Sequence, residues 1–365
     1  MLGLGSMIGT GVFVSIGLAA SITGSSVILA IALAALVAAC NALSSAQLAA
    51  SHPVSGGTYE YGYRYLNPTL GFTAGWLFLI AKTASAATAA LGFAGYALRL
   101  AGIDLVWMPA LAVLAVIAFV LLVLGGIKRS SQANIAIVVV TLLSLGAFVA
   151  LGLPQAFGGG TANLLPILPD RGSSGMDAFL YATALMFVAY TGYGRIATLG
   201  EEVAEPRRTI PKAIVATMAI TALLYIFVAI AAVGAGGTGG GDGATATPLE
   251  TAARAFSGPE LAAIVAIGAT TAMLGVLLNL LLGLSRVAMA MGRQGDLPPI
   301  FGRVSSGGHA PSAAVFLVGA GTAGLAAFGS IETAWAFSAF TVLLYYAITN
   351  LAALRLPADT RLYPR

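Results

Sequence analysis

Charge is what this sequence has least of. Asp, Glu, Lys and Arg make up 8% of its 365 residues against 59% hydrophobic ones, and the mean hydropathy is +0.95. A soluble domain carries roughly 25% charged residues, so a water-exposed surface of ordinary composition cannot be assembled from this chain. Cysteine is nearly absent too. Cys40 stands alone, which excludes an intrachain disulfide framework and a cysteine cluster with metal-ligand spacing, and its place in an apolar run predicts a small packing residue. The pI of 9.3 comes from seventeen Lys and Arg residues scattered among apolar stretches, with no basic stripe of the kind that binds nucleic acid. Walker loops, zinc-binding His-Glu patterns and nucleophile elbows are missing as well. Neither an enzyme nor a nucleotide-driven pump is expected, and no cofactor or metal. Met1 is followed at once by Leu2-Gly3-Leu4-Gly5, with neither a basic n-region nor a cleavage-type segment, so no secretory signal is expected.

What the chain has in abundance is long apolar runs. Nine lie at about 27–48, 70–98, 106–124, 135–153, 176–199, 214–233, 261–290, 313–328 and 333–354, and a tenth at 12–20 follows the glycine-rich stretch 3–11. A hydrocarbon core of about 30 Å takes roughly 20 helical residues to cross. Within lipid only helices and closed barrels satisfy their own backbone, and the strict alternation of barrel strands is absent. The prediction is an all-α integral membrane protein of about ten transmembrane helices in a lipid bilayer, with 1–365 as one transmembrane domain.

The few charges carry the topology. If the first span leaves the cytoplasm, thirteen of the seventeen basic residues fall in cytoplasmic segments, while Arg99, Arg171 and Arg254 are external and Lys82 lies inside a span. That bias predicts a cytoplasmic membrane with the N-terminus inside. The two longest linkers, 234–259 and 154–175, are then external and rich in glycine or proline. Both are expected to be simple connections, the first a flexible loop around the low-complexity run 236–243.

Two spans contain what a plain anchor would avoid: Gly3-Leu-Gly-Ser-Met-Ile-Gly-Thr-Gly11 and Ala189-Tyr-Thr-Gly-Tyr-Gly194. Glycine costs a helix interior about 1 kcal/mol relative to alanine, so each is a candidate break. Each also opens one half of the chain, repeat 1 at about 1–153 and repeat 2 at about 176–354. Interrupted helices at matching positions mark the substrate site of a 5+5 inverted-repeat transporter, with helices 1 and 6 discontinuous. A restarting helix offers free N–H groups to a carboxylate, and a stopping one offers carbonyls to an ammonium group, so a zwitterion suits both. The competing reading is that these glycines only let helices pack closely.

Four motifs then carry a resemblance. Gly5-Ser-Met-Ile-Gly-Thr-Gly-Val-Phe13 is similar to the first-helix signature of the amino acid-polyamine-organocation (APC) permease superfamily, and Ser51-His-Pro-Val-Ser-Gly-Gly-Thr-Tyr59 to its second-to-third helix connection. Phe187-Val-Ala-Tyr-Thr-Gly-Tyr-Gly-Arg-Ile-Ala-Thr-Leu-Gly-Glu-Glu-Val203 with Glu205-Pro-Arg-Arg-Thr-Ile-Pro211 resembles the sixth helix and the loop after it, and Ser285-Arg-Val-Ala-Met-Ala-Met-Gly-Arg-Gln-Gly-Asp-Leu-Pro298 the loop after the eighth. The resemblance implies a secondary amino acid permease working by alternating access, proton-coupled or by exchange, with a proton or sodium ion as possible coupling partner. It implies a substrate carboxylate on the amides of Gly9, Thr10 and Gly11. The α-amino group would lie on the carbonyls of Met7, Val188 and Thr191, with Phe187 and Tyr190 as pocket wall or gate. A polyamine or organic-amine carrier, and a non-transporting sensor or permease fragment, are the alternatives. Against the family's twelve spans, helices 11 and 12 and the first half of helix 1 are expected to be missing. Glycine stands at Gly194 where the family often has an acid.

Single residues add detail. Lys82 lies mid-span, where a lysine costs about 3 kcal/mol unless it faces partners or water, so it is a candidate proton carrier or a structural partner of carbonyls. Some proton-coupled relatives are thought to place a lysine in the fifth helix, but the stretch 134–141 here has none. Asn279 is a candidate for interhelical bonding or for the pathway. Glu201 and Glu202 with Arg207 and Arg208 are either gate salt bridges or a solvated loop, and His52 is a polar loop residue.

Overall fold

A computed structural model describes residues 2–52, 57–125, 130–158, 161–168, 172–194, 205–236, 246–304, 311–357 and 360–361. Among these residues every regular element is helical. The first span is α1 (Leu2–Met7), a π-helical turn (Gly11–Ser15) and α2 (Ile16–Thr23), joined through the three-residue turn Gly24–Ser26 to α3 (Val27–Ser51). Gly24 makes that turn at φ 60° and ψ −137°, a conformation open to glycine and costly for other residues. Next come α4 (Thr58–Tyr65), α5 (Pro68–Ala101), α6 (Met108–Leu124), α7 (Ser130–Gly158) and α8 (Ser173–Tyr190). The chain ends with α9 (Pro206–Gly234), α10 (Pro248–Ser257), α11 (Pro259–Gln294), α12 (Ser312–Phe328) and α13 (Ile331–Leu354).

Local chemistry sets several of these boundaries. The Asn67 side chain accepts from the Leu70 N–H at 2.8 Å with Pro68 in the first turn, and α5 stops at Gly102, φ 67°. Ser330 and Thr333 form a reciprocal capping box at the start of α13.

Seven described helical runs are long and apolar enough to cross a membrane. One of them, Gly11–Ser51, has 41 residues, roughly twice what one crossing needs, and it contains the Gly24 turn. α12 is apolar but shorter, at 17 residues. Burial sorts the helices. The apolar window of α5 is 72% buried and that of the run Leu105–Leu124, which contains α6, 28%. α5 packs against α4, α6, α11, α12 and α13, and its stretch 84–92 is Ala, Ser, Thr, Gly and one Leu, all buried. Small side chains let neighbouring backbones approach. The outer helices instead expose large apolar groups such as Leu114, Leu143 and Phe340.

Three expectations change. Cys40 does not pack inside; it is exposed on α3, as a small, weakly polar side chain can be on a lipid-facing helix. The linker 234–259 is more than a connection, because it contains the amphipathic helix α10. Leu249, Ala252 and Ala253 are buried there, and Glu250, 3% exposed, holds Arg254 at 2.6 Å. Pro248 in the first turn and the Glu250/Arg254 pair at i,i+4 were the local signals; the run 237–245 lies outside the described residues. The linker at 154–175 is also shorter than expected, since α7 continues past Pro154 to Gly158. A proline forfeits one hydrogen bond, and here packing on α9 holds the last turns, with Ala156 against Gly234.

Candidate functional site: two interrupted helices around one cavity

The first break is a change of hydrogen-bond ladder rather than an extended segment. The Ile8 N–H still reaches the Leu4 carbonyl at 2.7 Å, and the Gly9 carbonyl then takes the N–H groups of both Val12 and Phe13 at 3.1 Å. Between them stand Thr10 and Gly11, where the ladder changes from the α-helical to the π-helical pattern. Thr10 keeps right-handed helical angles, φ −51° and ψ −36°, so its N–H points along a restarting helix as a first-turn amide does. Its side-chain Oγ1 is buried and lacks a hydrogen-bond partner.

The second break follows α8, where a 3-10 turn at Thr191–Tyr193 takes over. The Thr191 hydroxyl donates to the Val188 carbonyl at 2.7 Å and accepts from Lys82 Nζ at 2.7 Å. The two breaks touch through backbone: a Cβ added to Gly192 would lie 2.5 Å from the Ser6 carbonyl oxygen. Tyr225 of α9 ties them together, its hydroxyl 2.6 Å from the Met7 carbonyl and 3.3 Å from that of Ala189. Tyr346 of α13 donates to the Thr191 carbonyl at 3.4 Å.

A cavity of about 570 Å³ lies against both breaks. Ser6, Met7, Thr10 and Gly11 line it from the first, and Val188, Ala189, Thr191, Gly192 and Gly194 from the second. α5 contributes Phe78, Lys82 and Ser85, α11 contributes Val276 and Asn279, and α13 contributes Trp335. The cavity runs on to Glu60, Arg286, Arg293 and Gln294. There, burial holds the Glu60 carboxyl above its ordinary range, against the opposing pull of a hydrogen bond with Gln294. Beside this end Asp296 accepts from the hydroxyls of Tyr59 and Tyr63, both at 2.7 Å, tying α4 to the end of α11.

Most of the residues singled out in the sequence meet here. Met7, Thr10, Gly11, Val188, Thr191, Lys82 and Asn279 all line the one cavity, and Gly9 backs onto Val276. Phe187 and Tyr190 stand behind the lining instead. Phe187 packs edge-on against Tyr346 with centroids 6.0 Å apart, and Tyr190 packs on Tyr225 at 5.1 Å. Asn279 does bond across helices, Nδ2 to Asn134 Oδ1 at 3.3 Å, and that oxygen lies 2.6 Å from where a Gly5 Cβ would be. Sequence reasoning missed Tyr225, Trp335 and Asn134. The first two carry a polar atom inside an apolar span, the signal that also marked Asn279. Glu201, Glu202 and the Arg207 side chain lie outside the described residues. Arg208 reaches Glu205 at 3.8 Å on the surface, worth little in water.

Residues 1–365 match a family model described as amino acid permease. An uncharacterized transporter of Mycobacterium tuberculosis is 43% identical over 98% of this chain and 79% of its own length. The methylthioribose transporter of Bacillus subtilis is 27% identical over 91% of this chain and 74% of its own length. In three dimensions the chain is similar to the crystal structure of MhsT in complex with L-phenylalanine, with TM-score 0.66 and 16% identity, covering 95% of this chain and 86% of that one.

Proposed function

The chain belongs to the amino acid permease family, and from that premise we propose that it is a secondary transporter carrying amino acids through the bilayer by alternating access. It is a multi-pass membrane transporter and not an enzyme. One observation supports the substrate class above the others. Two interrupted helices meet at Gly192 and Ser6 against a single cavity, one presenting its restart at Thr10 and Gly11, the other the carbonyls around Val188 and Thr191. A carboxylate at a helix N-terminus is stabilised by about 0.3–2 kcal/mol. The carbonyls of Met7, Val188 and Thr191 each accept a hydroxyl, and those of Val188 and Thr191 also take the backbone N–H of Thr191 and Gly194, so an ammonium group there shares or displaces these donors. Phe187 and Tyr190 form the closed wall behind the site.

In this reading the chain crosses the membrane ten times as two repeats of five. The run Gly11–Ser51 supplies two crossings, and α8 and α12 complete the count. The N-terminus faces the cytoplasm, as the basic residues favour. Transport is proton-coupled or by exchange, with Lys82 as the candidate proton carrier. The test is uptake and counterflow of a panel of labelled amino acids in proteoliposomes, with and without imposed proton and sodium gradients. Saturable uptake of at least one amino acid is expected; folded protein that moves none of them would reject the reading.

A further inference from the structure

We infer that Lys82 makes the cavity a charge filter, admitting amino acids with neutral or acidic side chains and rejecting those with cationic ones, polyamines included; the inference rests on the transport reading above. Lys82 is 8% exposed and lines the cavity from α5. Its hydrogen bond goes to the Thr191 hydroxyl, a neutral group whose own proton is committed to the Val188 carbonyl. Neither ion pair among the described residues involves Lys82. A lysine so placed has no carboxylate partner among the described residues.

The rest of the described lining does not correct the balance. Glu60 is its one carboxylate, on α4, and it hydrogen-bonds with Gln294 at the end of α11. Three basic side chains and one acidic one therefore face the cavity. Thr191 belongs to the second break, so the ammonium group sits one hydrogen bond away from the zwitterion site itself. A substrate's side-chain cation beside Lys82 would enter this low-dielectric space next to a like charge, with Glu60 of α4 as the one carboxylate of the described lining and three basic side chains against it, an arrangement penalised by burial. A side-chain carboxylate would meet the partner Lys82 lacks.

The experiment is competition in proteoliposomes against the neutral amino acid with the strongest uptake. Unlabelled L-arginine, L-lysine, putrescine and L-glutamate are the competitors, for wild type, Lys82→Met and Lys82→Arg. Wild type should be inhibited by arginine, lysine or putrescine at least tenfold more weakly than by the neutral amino acid itself. In Lys82→Met the ratio of arginine affinity to neutral affinity should rise tenfold or more, while Lys82→Arg keeps the wild-type ratio. Because the readout is a ratio within one protein, a general loss of folded carrier does not move it. Arginine inhibiting wild type as well as the neutral substrate does would overturn the filter while leaving the transporter reading intact, as would an unchanged ratio in Lys82→Met. Absence of any amino acid uptake by wild type would remove the transporter reading and the filter with it.

Discussion

Replacing Gly192 by alanine should damage substrate binding more than any other single methyl group added near the breaks. The new Cβ would stand 2.5 Å from the Ser6 carbonyl oxygen and 2.6 Å from its carbon, where real Cβ contacts stay above about 3.0 Å. The difference, 3.0 minus 2.5, means the two breaks must part by at least about 0.5 Å, because both partners are backbone and neither can rotate away. Overpacking of this kind costs about 1–3 kcal/mol. If the cost falls on the geometry that holds the substrate, Kd rises by about five- to a hundredfold. Two neighbours serve as comparisons. At Gly9 the nearest atom is Val276 Cγ2 at 2.4 Å, the tip of a side chain, with the next at 3.5 Å, so Gly9→Ala should cost less. At Gly194 only the Tyr346 hydroxyl comes near, at 3.1 Å. The assay is equilibrium binding of the labelled amino acid found in the uptake panel to purified, detergent-solubilised protein, with thermal unfolding followed in parallel. Gly192→Ala binding within twofold of both wild type and Gly194→Ala would refute the idea that contact between the breaks shapes the site.

The remaining predictions concern single side chains. Thr10→Val should weaken substrate binding about five- to tenfold without lowering Tm, because it deletes a buried hydroxyl that has no protein partner; a lower Tm with unchanged binding would mean the hydroxyl serves the fold. Lys82→Ala should flatten the pH dependence of uptake while leaving substrate exchange in place, and an unaltered pH profile would remove Lys82 from proton coupling. For Glu60, burial raises the folded pKa above the ordinary 4.5, so the folded state favours the neutral acid. That contribution is full below about pH 4.5 and is lost as the pH rises through the raised value. Glu60→Gln should therefore gain Tm over wild type on going from pH 4 to pH 7, and a constant difference would contradict the assignment.

The helices were legible because lipid leaves them little choice. The apolar runs at 27–48, 106–124 and 333–354 became α3, α6 and α13 with ends shifted by three residues at most: α3 runs on to Ser51, α6 starts at Met108 after a 3-10 turn at Leu105–Trp107, and α13 starts at Ile331 behind its Ser330 cap. The two breaks were legible through glycine, and the convergence of Thr10, Val188 and Thr191 followed from placing the breaks opposite each other. What the sequence concealed was mostly tertiary. Nothing in one dimension says that the hydroxyl of Tyr225 spans Met7 and Ala189, or that Lys82 meets Thr191, 109 positions away. α10 stayed hidden for a different reason. It is amphipathic and short, so a search for long apolar runs passes over it, although Leu249, Ala252 and Ala253 follow helical spacing. The rings of Phe187 and Tyr190 pack on Tyr346 and Tyr225, a choice of rotamer and neighbour that residue type does not determine.

The turn at Gly24–Ser26 has a mechanical corollary. Three residues joining α2 to α3 leave no slack, so α2 cannot be displaced without dragging α3 along as on a short leash. α3 and α2 both lie on α8, the helix that carries the second break. In the proposed alternating-access cycle these three helices would move as one lever, with α5 and the helices around it as the frame they swing against.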